Sequence, residues 1–301
     1  MIDERLDQRI QDLNRRYQEL MHSKPIEDQI KRARYAESLK NLNLGKIIRD
    51  LRYRRYAKNN FSDAGNLFLG NRFEQDVREM KIAVYSCIIG RYDTIIEPVL
   101  VEPEVDYYMI TDQFIPESST WKKIDATKLE DYGRMSNMML NRKIKILQTE
   151  QLRKYDYSIY IDGNIEIIAG MSPIIAQMKT YQIGLHFHRS RDCIYDEVVA
   201  VKHLKQIQGK EMDAQVNEYK KKGFPKHYGL YENSIIVRDN RSNDMIKLME
   251  AWWDELCLHP TRDQLSLPYV VWKQGYNKEN IFIMGNDLER NTRFNRIQKH
   301  L

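Results

Sequence analysis

The spacing of apolar and polar positions divides this chain into stretches of different character. Over residues 1–22, Leu6, Ile10, Leu13, Tyr17 and Leu20 recur at spacings of 4-3-4-3, the a/d seam of a coiled coil or helical hairpin. The seam fits a helix lying on its own protein or a homodimer contact through residues 1–22. Over residues 31–58 a second helical pattern interleaves Leu39, Leu42, Ile47, Ile48 and Leu51 with Arg49, Arg52, Arg54 and Arg55. Residues 59–79 carry the turn signals Asn59-Asn60, Ser62-Asp63, Gly65-Asn66 and Gly70-Asn71 and read as a connector.

From residue 81 the pattern changes to alternating strands and helices. Apolar runs over 81–90 and 105–112 predict two buried strands, ending at Gly90 and Asp112. A helical pattern covers about 134–152. The run Tyr157-Ser158-Ile159-Tyr160-Ile161 then predicts a strand that stops at Asp162-Gly163-Asn164. Such alternation implies an α/β fold with a largely parallel sheet, and a division into a helical region 1–80 and an α/β domain 81–301. Ligands of such sheets bind at the carboxyl ends of strands, which puts Gly90, Asp112 and Asp162 around one cleft.

Composition and charge narrow the class. The three cysteines, Cys87, Cys193 and Cys257, show no C-x-x-C spacing, which argues against a zinc site or a disulfide scaffold and for a reducing compartment. No signal peptide is expected, because charge follows Met1-Ile2, and no run of about 20 apolar residues could span a membrane. The net charge is +5. Residues 24–58 hold 11 Lys/Arg against 4 Asp/Glu, so this stretch is +7 and the remainder −2. A basic amphipathic helix can lie on an anionic membrane surface. A solvated face reads equally from the pattern, and no nucleic-acid-binding motif accompanies it.

The motifs then point to chemistry. Residues i and i+2 of an extended chain face the same way, so Asp162 and Asn164 can offer two oxygens to one hard cation, while Gly163 lets a diphosphate approach the backbone. Asp12-Leu13-Asn14 has the same spacing but sits in a helical stretch, where it carries no such meaning. The turn Gly90-Arg91-Tyr92-Asp93 lacks G-x-G-x-x-G and the P-loop pattern, which counts against dinucleotide enzymes and P-loop NTPases. Arg134, Asn137, Asn141 and Lys145 form one helical stripe flanked by Arg142 and Lys143, suited to a diphosphate leaving group or to a plain wet helix face. His186 and His188 alternate on one predicted strand face. Asp263 reads either as a base for an acceptor hydroxyl or as a cap of the following helix.

Taken together these blocks resemble a family of GT-A-like glycosyltransferases long catalogued as a domain of unknown function, with bacterial polysaccharide-locus members and plant members linked to cell-wall and mucilage polysaccharides. The similarity runs from Ala83-Val84-Tyr85 and Gly90-Arg91-Tyr92-Asp93 through Ile110-Thr111-Asp112, Trp121 and Asn141-Arg142-Lys143. It continues through Asp162-Gly163-Asn164, His188 to Cys193-Ile194-Tyr195-Asp196-Glu197, Gly229-Leu230-Tyr231-Glu232 and Arg262-Asp263-Gln264-Leu265-Ser266, covering about residues 81–275. It implies a GT-A-like, Rossmann-type mixed sheet flanked by helices, with an N-terminal helical extension. It also implies a nucleotide-sugar donor, UDP-linked, and a Mn²⁺ or Mg²⁺ ion on Asp162 and Asn164, the latter a neutral ligand where the D-x-D motif has a carboxylate.

On this resemblance the donor side comprises Gly90, Arg91, Tyr92, Asp93, Thr111, Asp112, Arg134, Asn141, Arg142, Lys143, Asp162 and Gly163. The acceptor side comprises His186, His188, Asp196, Glu197 and Tyr231, and Asp263 and Glu232 are the candidate bases. The expected protein is a cytoplasmic, metal-dependent glycosyltransferase of surface polysaccharide synthesis, peripheral on the inner face of the cell membrane through residues 24–58. Its acceptor is a glycan or lipid-linked glycan. The competing expectation is a non-catalytic adaptor that binds glycan or nucleotide on the same scaffold.

Overall fold

In the computed structural model, residues 9–16, 44–60, 79–205, 207–286, 288 and 291–297 are described. Their centre is a seven-stranded sheet in the order β3-β2-β1-β4-β7-β6-β8. Strands β1 (Ile82–Ile88), β2 (Val105–Thr111), β3 (Lys122–Asp125) and β4 (Tyr157–Ile161) run parallel. Strand β7 (Tyr231–Asp239) turns antiparallel to β4, with β6 (Ile183–Phe187) antiparallel to β7 and β8 (Ile281–Ile283) parallel to β6. The fold is thus the mixed, mostly parallel α/β sheet expected. A two-stranded antiparallel ribbon, β5 (Ile165–Ile167) with β9 (Phe294–Arg296), stands apart.

Every residue of β1 is buried, because a parallel sheet is covered on both faces. Its period of two sorts the core. Ala83, Tyr85 and Cys87 face the helices Asn137–Leu147 (α3), Ile194–Leu204 (α5), Lys210–Lys221 (α6), Asn243–Leu258 (α7) and Asp263–Lys273 (α8). Ile82, Val84 and Ile88 face the short helix Ser172–Gln177 (α4) and the β5/β9 ribbon. Helix α3 is shorter than its sequence pattern. Ser136 accepts a bond from Met139 N and starts it, and Gln148, at φ +64°, ends it.

The N-terminal patterns are only partly within the described residues. Helix α1, residues 9–16, leaves the seam residue Leu13 59% exposed and docks through polar groups instead. Asn14 Nδ2 donates to Ile168 O and Thr292 O, both at 3.3 Å. The D-x-N spacing that carried no meaning in the sequence therefore includes a docking residue, and this part of the seam faces solvent. Leu6, Tyr17, Leu20, residues 24–43 and most of the connector lie outside the described residues. Helix α2 (Leu44–Asn60) packs on α5: the Tyr53 and His203 rings stack at 4.0 Å, and Tyr56 OH donates to Asp196 Oδ1.

Candidate functional site

Strand order runs outward in both directions from the β1–β4 pair, and the diverging loops open a crevice above the carboxyl ends of these strands. At the end of β1 the chain turns through Gly90 (φ +73°) and Arg91 (φ +57°). A β-carbon at Gly90 would collide with Asn137 Nδ2. Gly90 N donates to both oxygens of Asp112, at 3.2 and 3.0 Å, and Tyr132 OH donates to Asp112 Oδ2 at 3.2 Å. Asp112 thereby ties the β1 turn to the end of β2. Asn141 Nδ2 donates to Cys87 O at 2.5 Å, fixing α3 over β1.

At the end of β4, Asp162 N donates to Ser234 O on β7 at 2.8 Å. Asp162 Oδ1 accepts from Tyr160 OH at 2.8 Å and lies 3.4 Å from Lys145 Nζ. The same ammonium reaches Asp263 Oδ2 at 2.8 Å. Lys145 comes from α3 and Asp263 opens α8, so three elements meet around one buried ammonium. Burial alone would lower the lysine pKa, but the two carboxylates outweigh it and raise it. Burial likewise pushes Asp263 up, and Lys145, Arg142 and Arg262 overcome it, leaving a depressed, ionised carboxylate. Gly163 has a packing reason of its own. A β-carbon there would fall 2.7 Å from Ile88 Cγ1, so the missing side chain makes room for the end of β1.

The opposite wall comes from β6, β7 and α5. His188 follows the last residue of β6 and lies 3.5 Å from Glu232 Oε1. Ser190 N and Arg191 N donate to its Nδ1 at 3.2 Å. Burial first, then the Arg191 and Arg262 charges, push its pKa down to about 3 and keep it neutral. Glu197, 2% exposed, anchors Arg191 Nε at 2.6 Å and Arg262 Nη2 at 3.4 Å. Glu232 receives Gln264 Nε2 at 3.1 Å. Burial, with the Glu197 charge behind it, outweighs Arg296, Arg262 and Arg191 and pushes the Glu232 pKa up to about 7.

The resulting cleft holds about 450 Å³, within the range of small-ligand sites. Of the expected residues it is lined by Arg142, Asp162, Asn164, His188, Glu197, Glu232 and Asp263. Tyr92 stands beside them, 54% exposed, its hydroxyl pKa raised by burial, Asp93 and Asp162. Others are turned to different work. Arg134 pairs with Glu130 at 3.1 Å on the surface, and Lys143 with Asp131 at 2.5 Å. Thr111 is buried and accepts from Gln113 N. Tyr231 is buried under a stacked Phe187 at 5.7 Å. Asp196 accepts from Tyr56.

His186 does not share the cleft with His188, because the strand ends between them at Phe187. It is buried beside Phe294, with Asn291 Nδ2 3.2 Å from its Nε2 and its pKa lowered to about 4 by burial. Sequence reasoning missed Arg191, Arg262 and Asn233 as lining residues. Asn233 is 2% exposed, and both ends of its amide have no partner among the described residues. Its signal in the sequence is its place at the close of the Gly- and aromatic-containing run Gly229-Leu230-Tyr231-Glu232-Asn233, just before the apolar run Ile235-Ile236-Val237.

The donor set at the D-G-N turn does not fit a tightly held divalent ion. Mg²⁺ and Mn²⁺ take carboxylate oxygens, and here one carboxylate, Asp162, already faces an ammonium at 3.4 Å. Asn164 is neutral and buried. Elsewhere Cys193, Asp196 and His227 bring one ligand atom each within 4.8 Å. Asp196 is engaged by Tyr56, and His227 Nδ1 lies 2.7 Å from Asp192 Oδ1.

The sequence family described as TOD1/MUCI70, glycosyltransferase-like domain, matches residues 56–300. Among solved structures, a bifunctional glycosyltransferase WbbM in its apo form aligns over 69% of this chain and 39% of its own, at 9% identity and a TM-score of 0.38. The mannosyltransferase Ktr4p from S. cerevisiae aligns over 76% of this chain and 75% of its own, at 10% identity and a TM-score of 0.34. The chain thus spans well under half the length of WbbM. No curated protein matches it in sequence.

Proposed function

Because the chain belongs to the TOD1/MUCI70 glycosyltransferase-like domain family, we propose that it moves a sugar from a nucleotide-sugar donor, UDP-linked, to a hydroxyl of a glycan or lipid-linked glycan. The observation that carries this reading is the cleft at the β1–β4 crevice, where Asp162, Lys145 and Asp263 face Glu232 across a cavity large enough for a donor. Asp162 and Asn233 suit the hydroxyls of ribose or sugar, and Tyr92 offers a ring face at the mouth. Arg142, Lys145 and Arg262 suit the diphosphate.

Of the two candidate bases, Glu232 is the stronger. Asp263 is held ionised by Lys145 and so is a weak base, whereas a carboxyl group with a pKa of about 7 is tuned for proton transfer near neutrality. In an inverting reaction Glu232 takes the proton of the acceptor hydroxyl as that oxygen bonds to the anomeric carbon. The bond to the diphosphate oxygen breaks, and its electron pair leaves with the nucleotide.

Helix α2 supports a peripheral location on the inner face of the cell membrane, as in surface polysaccharide synthesis. Ile48 and Leu51, each 50% exposed, lie among the exposed cations Arg49, Arg52 and Arg55, and a basic surface of this kind is drawn to anionic lipid. No described helix is long and apolar enough to cross a membrane. Co-sedimentation with phosphatidylglycerol vesicles should fall in Ile48→Glu/Leu51→Glu; equal pelleting of both proteins counts against this location.

The test of the whole reading is nucleotide release from UDP-, GDP-, dTDP- and CMP-sugars, with and without added glycan. Release from one donor class that is lost in Glu232→Gln supports it. No release from any donor, with nucleotide still bound, supports the adaptor instead.

A further inference from the structure

Resting on that reading, we propose that the donor diphosphate is held by the fixed cations Lys145, Arg142 and Arg262, and that they, without a divalent ion, neutralise the charge left on it. Three independent observations lead here. The first is position. A metal bridging the carboxylates of this crevice would have to sit where the Lys145 ammonium already sits, 2.8 Å from Asp263 and 3.4 Å from Asp162. The ammonium is held in place: its side chain is 7% exposed, it lies 5.2 Å from the Tyr160 ring centroid, and Tyr160 itself bonds Asp162.

The second observation is the charge of the walls. Six cations line the cleft, Arg142, Lys145, Arg191, Lys205, Arg262 and Arg296, against four carboxylates, Asp162, Glu197, Glu232 and Asp263. The surplus is two positive charges with Glu232 ionised and three with it protonated. This surplus matches the negative charge of a nucleoside diphosphate and disfavours a free divalent cation in the empty cleft.

The third is unused donor capacity. Arg142 Nη1 and Arg262 Nε are buried with no hydrogen-bond partner among the described residues, although Arg262 contacts Glu197 and Gln264 through Nη2. Buried guanidinium N–H groups left unpaired are costly unless a ligand completes them. Bound diphosphate oxygens would do so. As the anomeric bond breaks, its electrons add one negative charge to the leaving phosphate oxygen, and preorganised cations stabilise that charge without reorganisation.

The test is the binding of UDP, GDP, dTDP and CDP to the full chain by titration calorimetry, once in EDTA and once in Mn²⁺. The inference expects one nucleotide to bind in EDTA with an affinity within about threefold of that in Mn²⁺. Arg142→Gln should weaken that binding about tenfold or more, and Lys145→Met should abolish it. Lys145→Arg should retain part of it and keeps the pairing with Asp162 and Asp263 if Lys145→Met does not fold. Binding that disappears in EDTA and returns with Mn²⁺ overturns the inference while leaving the glycosyltransferase reading intact. Binding of no nucleotide in either buffer sinks the donor reading and the inference with it.

Discussion

The two walls of the cleft use the same kinds of residue to opposite ends. On the β4 side, Asp162 and Asp263 share one ammonium, and the depressed pKa of Asp263 keeps it charged. On the β7 side, Glu232 stands among Glu197, Arg191, Arg262 and Arg296, yet the arginines are largely committed. Arg191 and Arg262 bind Glu197, and Arg296 Nη2 donates to Ser234 Oγ at 3.2 Å. Glu232 is left with an amide from Gln264 and a neutral imidazole, and its pKa rises to about 7. Burial acts on both carboxylates. Whether a cation is dedicated to the group decides if it becomes a fixed anion or a proton acceptor.

The largest expected effect comes from removing the proton acceptor. Glu232→Gln should lower turnover by about 10²–10⁴-fold while leaving nucleotide affinity unchanged, as turnover and calorimetry read together would reveal. An equal loss in both would mean that Glu232 only shapes the cleft. In the parent protein kcat/KM should climb as pH rises through about 7, where Glu232 ionises, and that limb should vanish in the variant.

The other wall should fail as a fold as well as a donor site. Lys145→Met leaves two partly buried carboxylates without their cation, and should cost up to about 3 kcal/mol in a denaturant melt. Combining it with Asp263→Asn should recover a good part of that loss. If the double variant is no more stable than the single one, the trio is not the unit described.

A buried histidine behind the cleft gives the next effect. The His186 pKa is lowered from 6.5 to about 4 by burial, so the unfolded chain binds its proton first as pH falls. Stability should therefore decline between pH 6.5 and 4, by of the order of 3 kcal/mol from this group, and His186→Phe should flatten that decline in thermal melts. The smallest effect is at the helix that leans on the acceptor wall. Tyr56→Phe removes the bond to Asp196 and should cost about 1 kcal/mol, read as faster proteolysis within residues 44–60 with the rest of the chain protected.

Much of this was legible in the chain because local patterns encode local structure. The run Tyr157–Ile161 is a strand, Asp162 follows it, and the stripe of α3 does carry Asn141 and Lys145 toward β1 and the crevice. The pattern misled where one period covered two fates. His186 and His188 alternate as a strand predicts, but the strand stops at Phe187, so one is core and the other cleft. The stripe also held Arg134, which pairs with Glu130 one turn away on the surface and never reaches the crevice.

By itself, then, the sequence determined the elements, the α/β class and the place of a polar turn at the end of β4, since the periods of 2 and 3.6 and the turn residues are properties of neighbours along the chain. The tertiary structure alone decided which charges meet. Lys145, Asp162 and Asp263 are separated by 17 and 101 positions, and Glu197 claims arginines 6 residues before and 65 residues after it. Pairing across such distances depends on how helices settle on the sheet, and it is that settling which made one carboxylate a counter-ion and another a base.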